Sequence, residues 1–292
     1  MQKLANSSAI RQLLEESGFS FKKSLGQNFL INPTVCPRMA QAACNSLSAG
    51  QPKGVLEIGP GAGVLTVELA RVADKVVAVE LDGRLKPVLS KSLSGFSNVS
   101  VIFGDAMKLD LEQIIQECME GMEVAVCANL PYYITSPLIM RLLESRLSIR
   151  SLTVMVQKEA AERLCAPPGS REAGAVSAAV AYYARPRILF TVSPGSFLPP
   201  PKVESAVIQL EIRERPPVQV KNEPAYFGLV RAAFAQRRKT LANSVSATLG
   251  LDKGILLQAL EQLDIPLSIR AERMTLQQFA DLSNLLEAAK GE

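Results

Sequence analysis

Val55-Leu56-Glu57-Ile58-Gly59-Pro60-Gly61-Ala62-Gly63 is the stretch on which the fold turns. A short apolar strand runs into a turn with three glycines in five positions. Val64 to Arg71 then places Leu65, Leu69 and Val72 on one helical face. The same unit repeats outward along the chain. Val76-Val77-Ala78-Val79 is a strand ending at Glu80, and Arg84 to Ser94 reads as a helix. Val99 to Phe103 is a strand, Leu111 to Met119 a helix, and Val124 to Cys127 a strand. Pro137 to Glu144 reads as a helix with Ser136 as N-cap and proline at its first position. Leu152 to Val156 is a fifth strand and Lys158 to Cys165 a helix. Strand–helix alternation at this rhythm predicts a parallel sheet with helices on both faces, an α/β fold. The strands are almost wholly apolar, as strands covered on both faces must be.

After residue 185 the rhythm breaks. Ile188–Val192 and Val203–Ile212 read as strands around Pro199-Pro200-Pro201, and Glu214-Arg215-Pro216-Pro217 as a linker. Beyond it the pattern is helical over Ala225–Thr248, Ile255–Leu263 and Leu276–Lys290. Two domains are therefore expected, 1–213 and 214–292.

Composition narrows the chemistry. The 292 residues are 48% hydrophobic and 21% charged, enough for a sizeable core and against global disorder. Histidine is absent. That excludes a Ser-His-Asp triad, a Cys-His pair, a histidine general base and an HExxH zinc site. The five cysteines are odd in number with no CxxC pair, which reads as reduced thiols packed as small apolar residues. No metal site is expected. Met1 to Lys23 has Glu15 and Glu16 and no apolar h-region, and no run of 18 apolar residues occurs. The chain reads as cytoplasmic, with no membrane association. The net charge of +4 permits an anionic partner without demanding one.

The glycine turn ends a parallel strand, where open α/β sheets bind ligands. A GxGxxG dinucleotide fingerprint would need glycine at position 64, which is Val64. The ExGxGxG form suits a nucleoside ligand without a phosphate, such as S-adenosylmethionine (SAM), and disfavours a nicotinamide oxidoreductase. Glu80 ends the second strand, where a carboxylate can accept both hydroxyls of a ribose. Asp105, followed by Ala106, ends the third strand. A carboxylate there can accept the exocyclic amino group of a purine.

Asn129-Leu130-Pro131-Tyr132 follows the fourth strand. The N6 lone pair of adenine is delocalised into the ring, so methyl transfer needs that nitrogen to pyramidalise. The Asn129 side-chain oxygen and the Leu130 carbonyl can hold its two N–H bonds. Pro131 stiffens the turn, and Tyr132 offers a face for the base. No general base is needed, since the N6 proton becomes acidic only once transfer begins. On this chemistry alone a DNA adenine methylase is also compatible.

With these motifs in order, the sequence resembles the KsgA/Dim family of ribosomal RNA adenine N6,N6-dimethyltransferases, relatives of the erythromycin-resistance (Erm) methylases. The resemblance rests on Ser24-Leu25-Gly26-Gln27-Asn28-Phe29-Leu30, Glu57–Gly63, Glu80, Asp105 and Asn129-Leu130-Pro131-Tyr132. Val156-Gln157-Lys158-Glu159, Phe197-Leu198-Pro199-Pro200-Pro201-Lys202-Val203 and Phe234–Thr240 extend it. It implies a Rossmann-like class I SAM-dependent methyltransferase domain with a mostly parallel seven-stranded sheet, and a small all-helical C-terminal domain for recognising the ribosomal subunit. It implies that Asn28, Leu30, Glu57, Gly59, Gly61, Gly63, Glu80, Asp105, Ala106 and Asn129 bind SAM. It implies that Asn129, Leu130, Pro131, Tyr132 and Phe197 serve catalysis, with Phe197 stacking on the target base opposite Tyr132. The implied reaction is dimethylation of two adjacent adenosines in a hairpin near the 3′ end of small-subunit (16S) rRNA. The implied partner is the immature 30S subunit.

The basic clusters are Lys22-Lys23, Arg185 with Arg187, and Arg237-Arg238-Lys239, each able to meet phosphates. Lys22, Lys23, Arg237, Arg238 and Lys239 are the expected RNA contacts, the last three on a helix shared with Phe234. Net charges of +3 for residues 1–190 and +1 for residues 191–292 show no strong asymmetry, so the RNA expectation rests on the motifs. Two other readings compete: an Erm-like enzyme acting on large-subunit (23S) rRNA, and an assembly factor whose main role is binding immature subunits. The protein is taken as a monomer.

Overall fold

Lys53–Ile58 and its neighbours form the sheet that the apolar runs demand. A computed structural model describes residues 7–19, 28–132 and 134–289. In chain order the elements begin with α1 (Ser7–Glu16), β1 (Phe29–Leu30), α2 (Val35–Asn45), β2 (Lys53–Ile58), α3 (Val64–Ala70), β3 (Lys75–Glu80), α4 (Lys86–Ser92) and β4 (Val99–Phe103). They continue with α5 (Leu111–Cys118), β5 (Glu123–Asn129), α6 (Thr135–Glu144), β6 (Ser151–Gln157), α7 (Lys158–Leu164), α8 (Ala175–Tyr183), β7 (Ala184–Val192), β8 (Phe197–Leu198) and β9 (Ser205–Ile212). The helices α9 (Glu223–Phe234), α10 (Leu241–Leu249), α11 (Lys253–Gln262) and α12 (Leu276–Ala288) complete the chain.

Among the described residues, seven strands form one sheet in the order β4-β3-β2-β5-β6-β9-β7. β4, β3, β2, β5 and β6 run parallel, and β9 pairs antiparallel with β6. Val55, Val76, Val77, Ala125 and Val126 are fully buried, which is why these strands are apolar throughout. β1 and β8 make a separate antiparallel pair, joining Leu30 to Phe197 and Phe29 to Leu198.

The chain forms two compact units. One holds residues up to Ala161 together with Arg185–Ile212, and the other holds Glu162–Ala184 together with the chain from Arg213. The expected boundary near 213 corresponds to the last crossing, but Glu162–Ala184, expected in the first domain, packs with the C-terminal helices. The reason is an aromatic cluster. Tyr182 lies 5.3 Å from Tyr226 between ring centroids, and Tyr183 stacks on Phe227 at 5.4 Å. Packing of this kind exceeds its area term by roughly 0.5–1.5 kcal/mol per pair.

Three local readings are corrected. The helix α6 starts at Thr135, so Ser136 and Pro137 lie inside its first turn and Ile134 stands at the cap. The Thr135 hydroxyl and the Ile134 amide both donate to the Pro131 carbonyl, which starts the helix early. The helix expected over Ala225–Thr248 is two helices, α9 and α10, broken at 235–240. Ser244 makes the break: its Oγ donates to the Ala232 carbonyl at 2.7 Å and accepts from the Gln236 amide at 3.1 Å. With no glycine or proline at 235–240, the apolar spacing runs on and hides the break. Finally, β9 begins at Ser205, with Val203 exposed before it. The short β1, the helices α1, α2 and α8, and β8 were not anticipated.

Ser244→Ala leaves the buried Ala232 carbonyl and the Gln236 amide without that hydroxyl. It should destabilise the helical unit by about 1–3 kcal/mol in urea unfolding. A change below about 0.5 kcal/mol would show that the break has another cause.

Candidate active site

The carboxyl ends of β2, β3, β4 and β5 open on one cavity. The turn after β2 is fastened to β3 by two backbone donors: Gly59 N to the Val79 carbonyl at 2.9 Å, and Gly61 N to Glu80 Oε2 at 3.1 Å. Gly61 has φ of +58°, and a Cβ there would stand 2.8 Å from Cε1 of Phe29. Only glycine lets the turn pass beneath that ring.

The two acids of this wall differ. Glu80 accepts from Gly61 N and, at 2.8 Å through Oε1, from Asp82 N. Burial pushes its carboxyl up. The amides of Asp82 and Gly61 oppose that, and the Asp82 charge adds to it. Glu57 is 1% exposed, and neither of its oxygens has a hydrogen-bond partner. Burial pushes it up to about 8, with the nearby Thr66 hydroxyl opposing and Glu80 adding. A buried carboxyl without a donor holds its proton or waits for a cation.

Beyond the adjacent end of β4, one Asp105 oxygen accepts from Met107 N at 2.9 Å and the other lies 3.8 Å from Lys108 Nζ. Ala106 is buried beside it. Asn129 ends β5, and its Nδ2 donates to the Asn28 carbonyl at 3.3 Å. Its Oδ1 is therefore the atom left to accept from a ligand. Leu130 N donates to the Met155 carbonyl at 3.2 Å, which pins the turn. The Tyr132 hydroxyl lies 2.9 Å from Ser205 Oγ, which fixes the ring edge. Phe197, buried in β8, is carried to the same cavity by its pairing with Leu30.

The cavity thus brings together Asn28, Leu30, Glu57, Gly59, Gly61, Glu80, Asp105, Ala106, Asn129, Leu130, Pro131, Tyr132 and Phe197. Gly63 does not line it. That residue sits at φ of +85°, where a Cβ would be 2.7 Å from Ser92 Oγ, so its place is to let α3 pack on α4. Arg237, Arg238 and Lys239 lie in the exposed turn between α9 and α10, in the other unit, not on a helix as expected. Lys22 and Lys23 lie outside the described residues. Sequence reasoning missed Leu81, Leu85 and Val64 in the lining. Leu81 follows Glu80 directly and is half exposed, which the pattern alone could not signal.

The sequence model described as Ribosomal RNA adenine dimethylase matches residues 18–288. The chain belongs to that family. It is 45% identical to Ribosomal RNA small subunit methyltransferase A of Geobacillus sp. (strain WCH70), over 97% of this chain and 98% of that one. It is 43% identical to the protein of the same name from Alkaliphilus oremlandii (strain OhILAs), over 98% and 99%. Among solved structures it resembles a dimethyladenosine transferase from Plasmodium falciparum, with TM-score 0.72, 29% identity, and coverage of 90% of this chain and 98% of that chain. It also resembles the 23S rRNA methyltransferase ErmE, with TM-score 0.67, 25% identity, and coverage of 89% and 100%. The chain is a SAM-dependent rRNA methyltransferase of this family, on a Rossmann-like class I fold. The cavity suits SAM: Glu57 offers two unmatched acceptor oxygens to a cationic ligand, and Gly61 leaves the backbone bare where the ligand approaches. Among the described residues no helix is long and apolar enough to cross a membrane, and no cluster of acids and cysteines could hold a metal ion.

The raised carboxyls give stability a defined pH slope. With Glu57 near 8 in the folded protein against an ordinary 4.5, the folded state keeps a proton that the unfolded chain has released. Its contribution is fully present below 4.5 and is lost as pH rises toward 8. Unfolding of the ligand-free protein at pH 5 and pH 8 should show Glu57→Gln gaining about 3–4 kcal/mol on the wild type across that interval. Parallel pH curves for the two proteins would rule this out.

Proposed function

We propose that the protein transfers methyl groups from SAM to N6 of two adjacent adenosines in a hairpin near the 3′ end of small-subunit rRNA, two methyls to each. It acts in the cytoplasm, as a monomer, on the immature 30S subunit during assembly. The observation that carries the reading is that Asn129-Leu130-Pro131-Tyr132 and Phe197 line one cavity together with Glu57 and Glu80. The names of the 43–45% identical relatives support the small-subunit substrate.

Glu57, Glu80, Asp105 and the glycine turn would hold SAM, with Glu80 toward the ribose and Asp105 toward the adenine amino group. When bound, SAM supplies an electrophilic methyl on its sulfonium. The protein's own part is to present the attacking nitrogen. Asn129 Oδ1 and the Leu130 carbonyl accept the N6 hydrogens and favour a pyramidal nitrogen, whose lone pair is then freed from conjugation with the ring. Tyr132 and Phe197 hold the extruded base between their faces. Oxygen acceptors fixed before the base arrives need no reorganisation during transfer. A monomethylated base keeps one N–H for one acceptor, and the proton that N6 loses at each transfer passes to water, so no residue need hold it between the two.

The cationic turn of the helical unit supports the RNA side. Arg237 Nη2 reaches the Arg171 carbonyl at 3.4 Å, and Leu241 N donates to the Ile269 carbonyl at 2.8 Å. Exposed Arg171, Arg237, Arg238, Lys239, Arg270 and Arg273 thus stand on three neighbouring segments.

Purified protein, labelled SAM and small subunits lacking the modification should give close to four methyls per subunit. Asn129→Ala should abolish incorporation by at least about 10²-fold. Label on large subunits instead would favour the ErmE-like reaction. Bound subunits with no label on either would favour a binding factor. Replacing Arg237, Arg238 and Lys239 together by alanine should lower the slope of log affinity for subunits against log salt by about 2. SAM affinity should stay unchanged. An unaltered slope would take these side chains off the phosphate path.

A further inference from the structure

Arg141 lies on α6, six residues after Thr135, and is half-buried. One terminal nitrogen donates to the Met107 carbonyl, and the other donates to the Leu109 carbonyl at 2.8 Å. Both acceptors belong to the turn between β4 and α5, the turn that carries Asp105. That turn is drawn together from the other side as well. Met107 N donates to Asp105 Oδ1, and Lys108 N and Leu109 N both donate to the Asp105 carbonyl. Gly104 packs so closely on Leu109 that a Cβ there would lie 2.8 Å from Cδ1. The start of α6 is tied in turn to the Pro131 carbonyl in the catalytic turn. A planar fork across two carbonyls fixes both position and orientation, which a single ammonium cannot do.

We propose that Arg141 is the positioning residue for the cofactor's adenine: its two hydrogen bonds hold the 105–109 turn so that the Asp105 carboxylate stands where a 6-aminopurine can donate to it. This rests on Asp105 being the adenine acceptor, as proposed above. Arg141 touches neither the ligand nor the base. It acts on specificity through the turn. Hypoxanthine carries a carbonyl oxygen where adenine carries the amino group, and two acceptors facing each other repel. A fixed carboxylate therefore rejects the inosine analogue, whereas a loosened turn can swing the carboxylate away and bind both alike.

The test is calorimetric binding of S-adenosylhomocysteine and S-inosylhomocysteine to the wild type, Arg141→Ala and Arg141→Lys, with a thermal unfolding midpoint for each. The wild type should prefer the adenine compound by about 10- to 100-fold, as a hydrogen bond to a charged group gives. Arg141→Ala should weaken the adenine compound, tighten the inosine compound by relieving the repulsion, and bring the ratio to within about threefold of unity. Arg141→Lys should recover part of the ratio. If Arg141→Ala weakens both compounds equally and the ratio stands, the residue is only scaffold and the proposal is overturned. If the wild type shows no preference, the reading of Asp105 fails and Arg141 has nothing to position. Should Arg141→Ala not fold, Arg141→Lys decides: a reduced ratio supports the proposal, and an unchanged one overturns it.

Discussion

The tie between the glycine turn and the next strand is the constraint from which the site follows. Gly61 N donates into the Glu80 carboxylate, and Gly59 N donates to the Val79 carbonyl. These bonds hold the end of β2 against the end of β3, in a sheet whose parallel register already aligns Ile58 with Val79 and with Ala128. Once three strand ends lie side by side, the residues that follow them must share one space. Glu57, Glu80, Asp105 and Asn129 are distant in sequence and adjacent there because the sheet is parallel, with every crossover returning its strand in the same direction. Pairing of β1 with β8 closes the far wall and brings Phe197 in from late in the chain.

This geometry places two acids in a buried wall, and only one of them is provided for. Glu80 has amide donors on both oxygens. Glu57 has none. An apolar residue at position 57 would avoid the cost of burying a carboxyl without a donor. The acid makes physical sense when a positive ligand completes it, and a sulfonium nucleoside bearing an ammonium group is such a ligand. The same logic applies at the turn after β5. Asn129 donates to the Asn28 carbonyl, which leaves its Oδ1 as the atom able to accept.

Much of this was legible in the sequence, for a definite reason. Residues that must adopt a backbone other side chains refuse, such as Gly61, or that sit at strand ends as isolated acids, such as Glu80 and Asp105, interrupt apolar runs and can be found by position. The residues that were missed lack such a mark. Ser244 splits a helix through side-chain hydrogen bonds to Ala232 and Gln236, partners 12 and 8 positions away, while the helical spacing continues across the break. Leu81 lines the cavity as one more apolar residue among many. Gly63 shows the opposite error: it belongs to the glycine motif, yet its space is needed by Ser92 and Leu89 rather than by a ligand. The grouping of Glu162–Ala184 could not be read either, since contacts of Tyr182 and Tyr183 with Tyr226 and Phe227 span more than 40 positions.

That grouping also bears on how the gene can be cut. The chain crosses between its units at 161–162, 184–185 and 212–213. The helical unit is therefore no appendage that evolution or an engineer can exchange by a single joint. A stop at residue 213 would leave Ala175–Tyr183 behind, with Tyr182 and Tyr183 stripped of the rings that cover them. An exchanged C-terminal segment must bring a surface that fits those two tyrosines, so the helices and the α8 insert are expected to vary in concert between relatives while the sheet changes independently.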